Sequence, residues 1–343
     1  MKAVVIGATG YGGVELVRLL DGHPHLEIGG LFSFSQAGKS YASLYPHLSH
    51  LEWTLAEMDV EAIIEAGEVV FFATPAGVSR EWAPLLAERG KICIDLSGDF
   101  RLNSEDYRKW YGKKAATKRW LDESVYGLSE WFPEKIKEAT LIANPGCYPT
   151  ATLLALLPLL RAELIDPDFL VIDGKSGVTG AGRSTQQSKL FCETSENLRA
   201  YKVEGHQHIP EIERFASKIA RKPINVSFTP HLVPMNRGLL VTMVAKLQPD
   251  VHIDSVRMAY EEDYKNQPFL RLLPEGCWPQ TKGVQASNYC DISYSMDERT
   301  GRLTVVSVID NLVKGAAGQA IQNANLRFDW PETSGLTGLP MFP

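Results

Sequence analysis

Cys147 and the pair His206 and His208 are the residues of this 343-residue chain with the most conspicuous chemical potential. Cys147 stands in LIANPGCYPTATLLALLPLL, residues 141–160, between a Gly and a Tyr-Pro and just ahead of an apolar run. Pro149 and Thr150 suit the first turn of a helix, so the pattern predicts a helix that puts the thiol at the positive end of the helix dipole, where the thiolate is favoured. Asn144 and Gly146 permit a turn there that brings backbone close to a substrate. Taken alone, a single cysteine beside apolar residues is more often a small core hydrophobe. The histidines stand in GHQHIPEI, residues 205–212. An imidazole titrates near neutrality and can both take and give a proton, and His208 lies three residues before Glu211, on the same face if the segment is helical. Spacing alone does not say which ring faces the thiol.

A second motif changes the weight on Cys147. In VVIGATGYGGVELVRLL, Gly7, Gly10 and Gly13 follow a β-branched run and open a helical one. Glycines there let the chain turn tightly and approach a pyrophosphate, and the N–H groups of the helix start supply donors. Thr9, Tyr11 and Gly12 belong to the same turn. The spacing is one residue longer in its first gap than the commonest dinucleotide fingerprint, and the strand-before, helix-after context is what supports it. A cysteine in a protein that binds a nicotinamide can hold an acyl group for hydride transfer, which makes Cys147 a nucleophile. About 20 residues further on, where an NAD site carries an acid for the ribose, LFSFSQAGKS has none. Ser33, Ser35 and Lys39 offer hydroxyls and a positive charge, so NADP(H) is expected. Thr74, Pro75, Ser97 and Asn311 are further cofactor candidates.

The elements that must position these groups fall into two styles. Up to residue 148, short apolar runs alternate with helical stretches (KAVVIGA, GVELVRLLDGHP, EVVFFATPA, SREWAPLLAERG, KICIDLSGDF), which predicts βαβ units and a parallel sheet. From about residue 166 strands dominate (DFLVIDGKSG, NVSFTPHLVP, GLLVTMVAKLQ, YCDISYSMDERTGRLTVVSVID), as in a mostly antiparallel sheet. In LVKGAAGQAIQNANL, Leu312, Ala316, Ala320 and Ile321 share one helical face. The expected fold class is α/β: a Rossmann-type parallel-sheet domain followed by an α+β domain with a mostly antiparallel sheet.

Composition removes several classes. A net charge of −6, with basic residues scattered, provides no footprint for nucleic acid. The most apolar segment, residues 153–160, is far short of the roughly 20 residues of a membrane helix. The chain opens MKAVVIGATG, directly into a strand and without the pattern of a signal peptide, so the cytoplasm is expected. Five cysteines, with no C-x-x-C pair, read as reduced thiols; neither disulfides nor a metal site is expected.

With GATGYGG, AGK, IDLSGDFRL, VYGLSE, ANPGCYPTA, KSGVTGAGR, GHQHIPEI, VPMNRG and DNLVKGAAGQA, nearly the whole chain resembles the N-acetyl-γ-glutamyl-phosphate reductases of arginine biosynthesis, relatives of aspartate-semialdehyde dehydrogenase. The resemblance implies an NADPH-dependent enzyme in which Cys147 attacks an acyl phosphate and forms a thioester. The second histidine, His208, is then the acid/base, with Glu211 orienting it. It further implies a Rossmann domain over 1–148 completed by the C-terminal helix within 313–343, an α+β domain over 149–312 for substrate and oligomer contacts, and a homodimer or homotetramer. A substrate with a phosphate and an α-carboxylate needs cations and donors, for which Arg101, Asn144, Ser176, Gly177, His206 and Arg237 are the candidates. An aspartyl or aminoadipyl phosphate (the latter free or carrier-bound) and a non-catalytic NADP-binding regulator are the alternatives. In one departure, Phe34 stands where many members carry an Arg, leaving Lys39 and the serines for the ribose phosphate.

Overall fold

The computed structural model describes residues 1–342, which divide into two compact units. The first comprises Met1–Pro145 and Ala316–Thr337; the second comprises Gly146–Gly315 with a short segment from Gly338 onward. The expected divisions after residues 148 and 312 thus fall after 145 and 315. Residues from 338 group with the second unit, where the Met341 N–H donates to Gln285 O.

The first unit is built on β1 (Lys2–Ile6), β2 (Glu27–Phe32), β3 (Val69–Phe72), β4 (Ile92–Asp95), β5 (Val125–Tyr126) and β6 (Leu141–Ala143). They form a parallel sheet in the order β2-β1-β3-β4-β6-β5. Val69, Val70, Phe71 and Phe72 are all fully buried, as is usual for strands covered on both faces. Helices α1 (Tyr11–Asp21) and α2 (Ser79–Ala87) follow β1 and β3.

The C-terminal helix of this unit, Gly318–Arg327, differs from its expected apolar stripe: it is buried on all sides. Its polar residues are core residues with partners. Asn323 Nδ2 donates to Gly127 O and to Asn144 Oδ1, and its Oδ1 accepts from Ser129. Asn325 Nδ2 donates to Glu332 O and Ser334 O, tying down the chain that follows. The residues before it, Val313–Ala317, form a π-helical turn instead of continuing the same helix.

The second unit carries β7 (Ile165–Gly177), β8 (Arg199–Ala200), β9 (Ser227–Val233), β10 (Leu239–Leu247), β11 (Leu270–Leu272), β12 (Cys290–Asp297) and β13 (Arg302–Ile309), in the order β11-β12-β13-β10-β7-β9-β8. β7–β9 and β11–β12 are parallel and the other neighbours antiparallel. Helix α3 (Cys147–Arg161) packs against β7, β10 and β13, with α4 (His208–Ala220) and α5 (Ile253–Tyr264) beside it.

Every residue of α3 from Tyr148 to Leu160 is buried, and apart from Thr150 and Thr152 near its start the helix is apolar all round. Its leucines contribute about 1.5–3 kcal/mol each on burial. Pro158 lies inside α3 without breaking it. A proline there deprives the carbonyl four residues earlier of its N–H partner; that carbonyl, Leu154 O, accepts instead from Tyr264 OH at 2.5 Å.

Candidate active site

Helix α3 begins at Cys147, with Gly146 as an N-cap that contributes no side-chain hydrogen bond. Pro149 has no N–H, so the first-turn amides belong to Cys147 and Tyr148, and their dipoles favour negative charge on the thiol. The turn is held from α4: the fully buried Glu211 accepts the Gly146 N–H on Oε1 at 2.9 Å. His208 opens α4, and its Nε2 lies against Gly146, where a Cβ would stand 2.4 Å from it. Cys147, His208 and Glu211 are therefore gathered at the adjoining starts of two helices. Glu211, expected to orient His208, has Gly146 as a partner.

His206 is placed differently from its expected substrate-binding role. It is 3% exposed, among the rings of Tyr148, Tyr201, Phe228 and His208, and its Nδ1 accepts the His208 N–H at 3.2 Å. Burial, and secondarily the Lys202 charge, push its pKa down to about 3, so the ring is neutral. Tyr148 donates to His231 O, and burial pushes the pKa of both Tyr148 and Tyr201 up, with a charge on Cys147 adding to the rise. Tyr201, which no motif singled out, thus belongs to the surroundings of the thiol.

Asp310 and Gly315 are a second addition. The buried carboxylate of Asp310 accepts from Leu312 N–H (2.8 Å) and Val313 N–H (3.3 Å) on Oδ1. Its Oδ2 accepts from Ala286 N–H (2.7 Å) and from the Arg237 guanidinium (3.2 Å). The Gly315 N–H closes the π-turn onto Asp310 O, and a Cβ at Gly315 would stand 2.7 Å from Cys147 Cβ. π-Turns recur at functional sites; here the extra residue sets a bare backbone against the thiol-bearing residue. Arg237, expected on substrate, is an ion-pair partner of Asp310. Ser176 donates to Gly177 O, and the Gly177 N–H donates to Gly238 O. Asn311, expected on the cofactor, belongs to this unit, where it accepts the Gly238 N–H and donates to Thr179.

In the first unit the glycine turn sits between β1 and α1. Gly7 has φ +83°, and a Cβ there would stand 2.5 Å from Ala73 O; at Gly13 it would stand 2.3 Å from Gly7 O. Gly10 is the N-cap of α1 without a side-chain cap, and a Cβ on Gly12 would meet nothing within 4 Å. Two glycines thus serve the turn and the helix–strand packing, and Gly12 leaves room for a close ligand. Thr9 O accepts from Tyr45 OH, and Tyr11 begins α1.

Thr74 Oγ1, at the end of β3 beside Gly7, is buried without a hydrogen-bond partner, and Pro75 next to it is exposed. An orphaned hydroxyl and an open cradle at the carboxyl ends of parallel strands fit a dinucleotide. Ser33 is buried; Ser35 and Lys39 are exposed.

Three expected contacts are engaged by the protein itself. Ser97 donates to Asp95. Arg101 is buried, with Nε donating to Asn144 O and a terminal nitrogen to Leu96 O. Asn144 donates to Ala316 O and accepts from Asn323. Among the described residues no cluster of side chains suits a metal ion, and no helix is long and apolar enough to cross a membrane.

The semialdehyde dehydrogenase NAD-binding domain model matches residues 2–139, and the semialdehyde dehydrogenase dimerisation domain model matches residues 147–311. The chain belongs to the semialdehyde dehydrogenase family. It is 50% identical to proteins named N-acetyl-gamma-glutamyl-phosphate reductase from Bacillus cereus (strain AH187) and Bacillus anthracis, over 344 aligned positions covering all of both chains. Among solved structures, aspartate semialdehyde dehydrogenase II of Vibrio cholerae, complexed with ASA, is similar with a TM-score of 0.73 at 19% identity, over 96% of this chain and 98% of that one. Aspartate semialdehyde dehydrogenase of Candida albicans, with NADP, is similar with a TM-score of 0.72 at 19% identity, over 95% and 97%. At that identity the two structures speak to the fold of this family member.

Proposed function

We propose that this chain reduces N-acetyl-L-glutamyl 5-phosphate to N-acetyl-L-glutamate 5-semialdehyde and phosphate, with NADPH as reductant and a thioester on Cys147 as intermediate. The observation that carries the reading is the 50% identity, over all of both chains, to proteins named for that substrate.

Cys147, at the dipole-positive start of α3, attacks the acyl carbon: the C–S bond forms, the C–O bond to phosphate breaks, and phosphate leaves. His208 takes the thiol proton and later protonates the alkoxide oxygen of the reduced adduct, for which an imidazole is suited at neutral pH. Glu211 keeps the Cys147 turn in place through Gly146. The first-turn amides of α3 stabilise negative charge that develops beside the thiol. Bound NADPH supplies the hydride that reduces the thioester carbonyl. Gly7, Gly10, Gly12, Gly13 and Thr74, with Ser35 and Lys39, are the residues that would hold it. When the C–S bond breaks, the aldehyde leaves and the thiol is regenerated.

The second unit carries the dimerisation domain, and the half-exposed residues Val171, Val244, Thr242 and Val306 lie on one face of its sheet. That face supports a homodimer, alone or paired into a tetramer, which light scattering on the purified protein distinguishes. The reading places the reaction in the cytoplasm, where a nucleophilic Cys147 would be kept reduced.

The deciding assay runs the reaction backwards, as phosphate-dependent reduction of NADP with N-acetylglutamate semialdehyde, aspartate semialdehyde and the aminoadipate homologue compared. The acetylglutamate compound should be used best by a wide margin. Preference for either homologue would assign the chain to a sister reaction, and no turnover with any would leave a regulator.

A further inference from the structure

We propose that Phe34 and Trp82 form an aromatic platform for the adenine ring of the cofactor, so that the adenosine half is held largely by stacking; the inference rests on the NADPH reading above. Phe34 is 56% exposed, an unusual position for a phenyl ring, and its nearest aromatic partner is Trp82 on α2, edge-on at 6.0 Å between centroids. An isolated exposed apolar side chain needs no explanation, whereas two aromatic rings brought together from separate elements form a surface.

Their place in the sheet gives that surface its occupant. The Gly7 N–H donates to Phe32 O at 2.9 Å, so Phe34 stands two residues beyond the point where β2 meets the glycine turn. The Ala73 N–H donates to Ile6 O, and α2, which carries Trp82, follows β3. β2 and β3 are the two neighbours of β1. Rings from either side therefore meet beyond the carboxyl end of the strand that leads into the glycine turn, which is where an open parallel sheet binds nucleotides. A purine presents a flat π-face, and Phe34 has an exposed face to match it. Trp82, set edge-on, holds the phenyl ring and borders the place of the purine. The exposed cation in this stretch, Lys39, is five residues further on and remains available for the ribose phosphate.

Calorimetry on the full-length protein, with NADPH and with adenosine 2′,5′-bisphosphate as a probe of the adenosine half, tests this directly. Phe34→Ala should weaken both ligands about 5- to 30-fold, the lower part of the range for losing one base–aromatic stack, and Phe34→Tyr, which keeps the ring face, should restore most of the affinity. Because Phe34 is exposed, its replacement should leave the thermal midpoint nearly unchanged. Adenosine 2′,5′-bisphosphate should also quench tryptophan fluorescence in the unmodified protein and lose that quench in Trp82→Phe. Unaltered affinity of Phe34→Ala for the bisphosphate overturns the platform, as does a quench that survives in Trp82→Phe, with the NADPH reading left standing. Failure of the unmodified protein to bind either ligand overturns both.

Discussion

Glu211 Oε1 accepts the Gly146 N–H at 2.9 Å, so an acid on the first turn of α4 fixes the residue that precedes the nucleophile on α3. A charged acceptor on a buried amide is worth roughly 1.5–3 kcal/mol, against about 1 for a neutral one. Glu211→Gln should therefore lower kcat about tenfold, and Glu211→Ala more, with a fall in thermal midpoint. The sharper readout is the rate at which iodoacetamide alkylates Cys147. An unaltered rate in a folded Glu211→Ala protein would remove this carboxylate from the positioning of the thiol.

Gly315→Ala should damage catalysis through contact alone. The added methyl would stand 2.7 Å from Cys147 Cβ and 3.2 Å from its Cα, and the π-turn is anchored by Asp310 and so has little freedom to give way. A clash of this kind costs about 1–3 kcal/mol when the structure absorbs it. Loss of kcat with little change in the Kd for NADPH is expected. Wild-type kcat would show that the turn moves aside freely.

His208→Asn should lower kcat by about 10²-fold or more, the size of losing a general acid/base. Cys147→Ser should abolish formation of the thioester. Rapid-mixing measurements that follow phosphate release separately from NADPH oxidation distinguish the two. A His208→Asn protein with a normal burst of phosphate and normal turnover would shift the proton-transfer role to another group.

His206 should make stability depend on pH in acid. Its folded pKa, about 3, lies below the ordinary value of 6.5, so the unfolded chain takes up the proton first. Its contribution is fully present above 6.5 and is lost progressively as pH falls toward 3. Replacing it with Phe should flatten the thermal midpoint over that interval. A slope unchanged by the substitution would mean that other groups carry the dependence.

Asp95 should act in the opposite sense. Burial, and then the nearby charge of Asp99, push its carboxyl up from 3.8 to about 7. Asp99 itself accepts from Gly77 N–H, Arg80 N–H, Ser79 Oγ and Tyr107 OH. A raised carboxyl pKa stabilises the fold fully below the unfolded value of 3.8, and that contribution is lost progressively as pH rises from there to about 7. Asp95→Asn should reduce the decline in thermal midpoint between about pH 4 and 7. An undiminished decline would place its origin elsewhere.

Much of this was legible because it is local. The alternation of apolar runs with helical stretches marked the parallel sheet, and the residues 147–150 marked the start of α3 at the cysteine itself. Gly7 and Gly13 were legible because backbone crowding leaves them no alternative. What escaped the sequence depends on partners distant along the chain. Glu211 reaches Gly146 across 65 residues, and Asn323 reaches Gly127 across 196. Helical periodicity detects apolar faces, so it was blind to a helix whose amides face inward. Arg101 and Arg237 were substrate candidates by type, and their internal partners, two carbonyls for Arg101 and a carboxylate for Arg237, are again distant along the chain or hidden from periodicity.

The first unit is discontinuous along the chain, and this sets an order of events during synthesis. Its sheet leaves the ribosome first, but the helix that fills its core emerges only after Gly146–Gly315 of the second unit. Until then Gly127 O, Ser129 and Asn144 have no Asn323 to bond, and the apolar surface awaiting Ala320, Ile321 and Ala324 stays open. The second unit, contiguous apart from its short terminal segment, can close earlier. A nascent chain stalled before Ala316 would therefore expose unfinished core in its older half, the kind of surface that chaperones bind.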